Sequence, residues 1–208
     1  MVRTRAMTLE DMAAVSRLRI EGWRAAYAGI VPRSYLDAMD PDEEAARRRE
    51  WLATSAGRVR NLVAVQPGGP AYEESGAGPE GTGNGGIRAG GARGADGEIV
   101  GWAAFGPYRG EPETTADGEL YALYVRPDRI GTGVGRALIA AVIDRSAGLG
   151  RRRLLLWVLA DNHRARGFYA RAGFTADGAE TTDRYDGLPL TELRYVRPLA
   201  PPPGPAAP

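Results

Sequence analysis

Between Glu119 and Ala140 (ELYALYVRPDRIGTGVGRALIA) the apolar pattern changes period across a glycine-rich break. Leu120, Tyr121, Leu123, Tyr124 and Val125 form a run of strand length that ends at Pro127, and glycines follow at 131, 133 and 135. Ala137, Leu138, Ile139, Val142 and Ile143 then recur at helical spacing. Upstream, Val2 to Met7 reads as a short first strand, and Thr8 with Asp11 as a weak capping box opening a helix that runs to about Tyr27. Asp40-Pro41 starts a second helix ending near Ala53, and Arg58 to Gln66 has the composition of a second strand. Glu98 to Gly106 is the third strand, closed by Gly106-Pro107, and a polar connector from Pro112 to Gly118 leads into a fourth strand starting at Glu119. The continuous apolar run Arg152 to Leu159 predicts a strand buried on both faces. Strand, helix and strand in succession imply a parallel pair with a crossover. Ala165, Phe168, Tyr169 and Ala172 make one apolar helical face that Gly173 terminates. Phe174 to Ala176 and Leu190 to Val196 are the last two strands, joined through Tyr185 to Gly187.

Two segments break this pattern. Residues 67–97 are dominated by glycine with almost no large apolar side chain, so ordering them would gain too little burial to offset the entropy lost. They read as a disordered insertion between the second and third strands, and residues 198–208, rich in Pro and Ala, as a disordered tail. The remaining chain, 1–197, is expected to form one domain. A content of 43% apolar and 25% charged residues is that of a soluble globular protein. A formal net charge of +1 gives no reason to expect nucleic acid, and no stretch reaches the roughly 20 apolar residues of a membrane span. A cytoplasmic location is the expectation that follows. With no cysteine and one histidine, disulfides, a thiol nucleophile and the common metal sites drop out, so no metal is expected.

A glycine loop between a strand and a helix suits an anion, because the first helical amides lack internal partners and carry the positive end of the helix dipole. Spacing excludes two such motifs. A dinucleotide fingerprint needs glycine where Arg136 stands, and a phosphate-binding P-loop needs Gly-Lys-Ser/Thr where Gly135, Arg136 and Ala137 stand. The stretch instead resembles the signature Q/R-x-x-G-x-G/A of the GNAT superfamily of acetyltransferases, with Ile130, Gly133 and Gly135 in register. Ile130 departs from the Gln or Arg of that signature, and Arg129 is the neighbouring candidate for the missing polar contact. A second signature of the family, N-x-x-A-x-x-F-Y-x-x-x-G-F, is complete as Asn162, Ala165, Phe168, Tyr169, Gly173 and Phe174.

The resemblance implies a mixed α/β (α+β) fold: a single domain with a mostly antiparallel central sheet, one splayed parallel pair and flanking helices, its strands following chain order. It implies acetyl-CoA as co-substrate, held by Gly131, Thr132, Gly133, Val134, Gly135 and Arg136, by the strand edge at Leu123, Tyr124 and Val125, and by Asn162. It implies transfer to a primary amine, small molecule or peptide, by direct attack in a ternary complex, with Tyr169 as general acid and Glu119 as general base. A homodimer is a family-level expectation. Structural readings stand beside these roles: core aromatic for Tyr169, solvated strand end for Glu119, helix cap for Asn162, exposed helix residue for Arg136. Trp23 and Tyr27 read as core or as a wall of the acceptor pocket, the run Arg47 to Arg49 as a solvated face, and His163 as surface. The alternative function is a coenzyme A-binding sensor or interaction module without catalysis.

Overall fold

The structure is a computed structural model and describes residues 2–54, 57–67, 93–94, 97–110 and 114–200. Its elements are β1 (Arg3–Ala6), α1 (Met12–Ala26), α2 (Arg33–Asp37), α3 (Pro41–Thr54), β2 (Arg60–Gln66), β3 (Arg93–Gly94), β4 (Gly97–Tyr108), β5 (Thr114–Val125), α4 (Val134–Gly148), β6 (Arg153–Leu159), α5 (His163–Arg171), β7 (Thr175–Tyr185) and β8 (Leu188–Pro198). The sheet runs β1-β2-β4-β5-β6-β8-β7, with the two-residue β3 paired to β4. All pairings are antiparallel except β5 with β6.

Period-2 alternation in the strands divides the core between the two faces of the sheet. Leu62 and Ala64 of β2 join Val134, Leu138, Ile139 and Val142 of α4 on one face, while Val63 and Val65 join Ala14, Val15 and Leu18 of α1 on the other. β6 is buried on both faces from Leu154 to Leu156, as its unbroken apolar run predicts. The expectation that strand order follows the chain is corrected here: β8 lies between β6 and β7. α5 carries the chain past one strand position, and the β7–β8 hairpin folds β8 back into the gap, antiparallel to both neighbours.

Three boundaries also move. Gly106-Pro107 does not close β4; Pro107 pairs with Gly118, an arrangement open to proline at a register irregularity. β5 begins at Thr114, so the polar residues before Glu119 belong to the strand, where Asp117 is buried and paired with Arg153 at 2.6 Å. β7 and β8 form a long hairpin rather than two short strands. Of the glycine-rich segment, Arg93–Gly94 pair with Gly97 and Glu98, and residues 68–92 lie outside the described residues. Pro198 pairs with Arg153, and residues 201–208 also lie outside them.

The β5–β6 pair makes the opening on which the site depends. The parallel register runs only from Asp117↔Arg153 to Leu120↔Leu156. At that point Tyr121 is an extra residue against β4, because Ala104 faces Ala122 while the next residue, Phe105, faces Leu120. Such a bulge bends and overtwists its strand, turning β5 away from β6. Beyond it β5 stays with β4 to Val125 and β6 stays with β8 to Leu159, which leaves a V-shaped gap between them.

Candidate active site

The glycine loop stands at the open end of this gap. Arg126 anchors its start: the backbone amide bonds the Val100 carbonyl at 3.0 Å, and the guanidinium engages Asp128 at 2.6 Å and also Glu98. Gly131 and Gly133 take φ of +86° and +94°, the left-handed region that side chains resist, and neither has any atom within 4 Å of where a Cβ would point. Gly133 caps α4, whose first intrahelical bond runs from the Ala137 amide to the Gly133 carbonyl at 3.0 Å. The amides of Val134, Gly135 and Arg136 therefore precede the first possible internal acceptor and face the loop. Gly135 serves a different need, since a Cβ there would stand 3.3 Å from the Phe168 ring of α5. Open amides, the positive end of the helix and room above the glycines fit a polyphosphate. Arg136 is exposed and makes no hydrogen bond or ion pair among the described residues. Ile130 is 36% exposed, so an apolar side chain occupies the position of the signature's polar residue.

Leu123, Tyr124 and Val125 lie past the last parallel pair, on the β5 edge that β6 has left. Asn162 caps α5 through its side chain, whose Oδ1 accepts from the Ala165 amide at 3.1 Å. This is the cap the sequence suggested as an alternative role, and it leaves Nδ2 as the group free to donate outward. Tyr169 projects from α5, with its ring 5.2 Å from Phe168 and 6.0 Å from Phe174. Its hydroxyl has no hydrogen-bond partner among the described residues. Burial, with a smaller push from nearby Tyr27, raises its pKa well above that of an ordinary phenol. Tyr27 and Tyr124 are close enough to influence each other's ionisation, and burial raises both phenols as well.

Glu119 is neither at a strand start nor solvated. It lies inside β5 at 2% exposure, with its carboxylate held from β4's end by Arg109: the backbone amide at 3.0 Å on Oε2, Nε at 3.2 Å and Nη2 at 2.6 Å on Oε1. The same guanidinium lies 4.0 Å over the Tyr121 ring, and burial, helped by Glu119, pushes the Tyr121 phenol up to about 12.

A second carboxylate, Glu192 of β8, escaped the sequence reading. It opposes Leu159 at the end of β6, and with Leu190 it lies on the α1 side of the sheet, where Trp23, Tyr27, Tyr35 and Tyr185 gather. Within that group the Trp23 and Tyr27 rings are 4.6 Å apart, and Tyr35 and Tyr185 are 5.2 Å apart. Glu192 makes no hydrogen bond or ion pair among the described residues. Burial raises its pKa first, Asp183 and Glu119 add to the rise, and Arg109 opposes it. Trp23 thus belongs to the core, with Tyr27 packed against it. The run Arg47 to Arg49 is only partly a solvated face: the Arg47 side chain is 69% exposed, whereas Arg48 is 10% exposed and lies 4.3 Å over Trp102. His163 is on the surface, as read. No cluster of metal-ligating side chains occurs among the described residues, and none of their helices is long and apolar enough to cross a membrane.

Residues 85–174 match the acetyltransferase (GNAT) family model. The chain is 28% identical over 162 residues to the uncharacterized N-acetyltransferase YuaI of Bacillus subtilis, covering 78% of this chain and 74% of that protein. It is 41% identical over 86 residues to the uncharacterized N-acetyltransferase Rv2669 of Mycobacterium tuberculosis, which is 41% of this chain and about half, 52%, of that one. Among solved structures, the PaiA N-acetyltransferase of Thermoplasma acidophilum, in complex with coenzyme A, superposes with a TM-score of 0.65 at 16% identity, covering 95% of this chain and 99% of that one.

Proposed function

We propose that this chain is an acetyltransferase of the GNAT family, as the family-model match and its N-acetyltransferase relatives support, and that it transfers an acetyl group from acetyl-CoA to a primary amine by direct attack in a ternary complex. The observation that carries this reading is the bulge-opened gap between β5 and β6, with the open amides of α4 at its mouth and an unpartnered phenol, Tyr169, beside it.

Acetyl-CoA supplies a thioester carbonyl that an amine can attack. The amides of Gly131 and of Gly133 to Arg136 hold the pyrophosphate, that of Thr132 being bonded to the Arg129 carbonyl at 3.3 Å, with Arg136 adding charge from its exposed position. The free β5 edge at Leu123 to Val125 takes the pantetheine arm as a further strand would, and the Asn162 Nδ2 donates to it. In the reaction the amine nitrogen bonds to the carbonyl carbon as the carbon–sulfur bond breaks. Tyr169 gives its proton to the departing sulfur and regains one from the nitrogen, which sheds its second proton as the amide forms; the raised pKa keeps the phenol protonated near neutral pH. The acceptor arrives as an ammonium and must first lose a proton. Arg109 already occupies both oxygens of Glu119, whereas Glu192 is unpartnered and its pKa is shifted toward neutrality. Two carboxylates whose environments differ in this way suit different roles. Glu192 takes the amine's proton, directly or through water, while Glu119 and Arg109 fix the field and shape of that end. This modifies the role the family resemblance gave Glu119.

No cysteine is available to carry the acetyl group, which excludes a thiol acyl-enzyme and makes attack with both substrates bound together the simpler route. Initial rates of coenzyme A release, measured against acetyl-CoA at several fixed amine concentrations, are expected to give intersecting reciprocal plots. Parallel lines would indicate a covalent relay and would contradict direct transfer.

A further inference from the structure

Beside the gap, between α1, α3 and the sheet, lies a cavity of about 310 Å³, within the size range of small-ligand sites. Its charge is unusual for a place walled by Trp23, Trp102 and Tyr124. One buried carboxylate, Glu44, serves three guanidinium groups: Arg48 at 2.6 Å, Arg47 at 3.1 Å and Arg19 at 3.2 Å. Arg109 also lines the cavity and has Glu119 as its partner. Four cations against two carboxylates leave a local excess of positive charge in a pocket that opens to solvent past Arg47 and Arg109.

Two buried donors in the wall have nothing to bond. The indole Nε1 of Trp23, a residue only 9% exposed, and the Nε of Arg48 both lack a hydrogen-bond partner among the described residues. A buried donor without an acceptor carries a desolvation cost that only an incoming acceptor can offset. Trp23 and Arg48 come from different helices, α1 and α3, yet line the same cavity. Tyr124 connects that cavity to the gap: it forms part of the wall and packs into the same cluster as Trp23 and Tyr27.

We propose that this cavity holds an anionic group, a carboxylate or a phosphate, borne by the same molecule that presents the reacting amine. The Trp23 indole and the Arg48 Nε donate to it, and Arg19, Arg47 and Arg109 supply the surrounding charge. The acceptor is then a zwitterion, with its ammonium toward Glu192 and its anion toward α3. This inference rests on the transferase reading above.

The test uses the full chain and a panel of ω-amino acids of increasing length, their neutral amides, and aminoalkylphosphonates. The expected result is a kcat/KM for an anionic member exceeding that of its amide by roughly tenfold or more, the scale of one charge-assisted hydrogen bond. In Arg48→Gln that ratio collapses toward one, and Trp23→Phe gives a partial loss in case the arginine variant folds poorly. Preference for carboxylates or for phosphonates identifies the anion. Amides used as well as their acids, or a ratio unaltered in both variants, would overturn the proposal. Malonate and inorganic phosphate, compared with chloride at equal ionic strength, provide a readout that does not depend on turnover. They are expected to raise the unfolding temperature of the wild-type chain more than that of Arg48→Gln, and an equal effect on both would also overturn the proposal. Turnover of no amine at all, with the anion effect intact, would instead count against the transferase reading alone.

Discussion

Replacing Tyr169 by Phe is expected to lower kcat by about 10²-fold or more, the usual contribution of a positioned general acid, while leaving acetyl-CoA binding and the unfolding temperature close to wild type. The ring sits edge-on to Phe168 and Phe174, and those contacts survive loss of the hydroxyl. Only the hydroxyl is unpartnered, so the substitution removes a proton donor without breaking a bond within the fold. Because burial and Tyr27 raise the phenol's pKa, the wild-type rate should show no alkaline decline attributable to Tyr169 below the ordinary range of tyrosine. Stopped-flow or coupled assay of thiol release at saturating amine checks both statements. A Tyr169→Phe chain with wild-type kcat would remove Tyr169 from the chemistry.

Glu192→Gln is expected to move activity and stability in opposite directions. A positioned base contributes about 10²- to 10⁴-fold, so in the role proposed for Glu192 kcat/KM falls by that order, and the acid limb of the wild-type pH profile, raised from the usual glutamate value, disappears. Stability follows from the sign of the shift. The folded-state pKa is raised, so the folded chain binds this proton more tightly than the unfolded chain does. The contribution to stability is complete below the unfolded pKa and is lost as pH rises through the raised folded value. Above that window the wild type bears a half-buried, unpartnered carboxylate facing Asp183, Glu119, Arg109, Tyr27 and Tyr185. Glutamine removes that charge. Thermal melts should show the variant more stable than wild type at neutral pH and equal to it in acid. A variant both slower and less stable at neutral pH would mean that Glu192 has a structural partner and is not a free base.

The parts of the fold read correctly from sequence are those governed by local rules. The glycines at 131 and 133 needed positive φ, the run Arg152 to Leu159 needed burial on both faces, and the pattern from Asn162 to Phe174 needed a capped amphipathic helix; each is in place. What was not legible depends on which strand lies beside which. In the segment LTELRY around Glu192, residues alternate, and either face could be the wet one until the β7–β8 hairpin returns β8 to the edge of β6. Glu119 read as a strand end because the pairing of Asp117 with Arg153 is set across the sheet, and its partner Arg109 arrives from the far end of β4. Arg48 is one of three consecutive arginines, and only the packing of α3 over Trp102 distinguishes it from its neighbours. The bulge at Tyr121, which opens the gap, has no local signature at all.

The central claim is that the α4 loop and the free β5 edge hold acetyl-CoA, and thermal unfolding of the full chain tests it most directly, with acetyl-CoA compared against NAD and ATP. At about 100 times its dissociation constant a ligand adds roughly 2.7 kcal/mol, a rise of about 5–11 °C for a domain of this size. Stabilisation by acetyl-CoA and coenzyme A, with neither control matching it, is the predicted result. No shift with acetyl-CoA, or an equal shift with NAD or ATP, would contradict the account and point to Ile130 as the mark of a lost cofactor site.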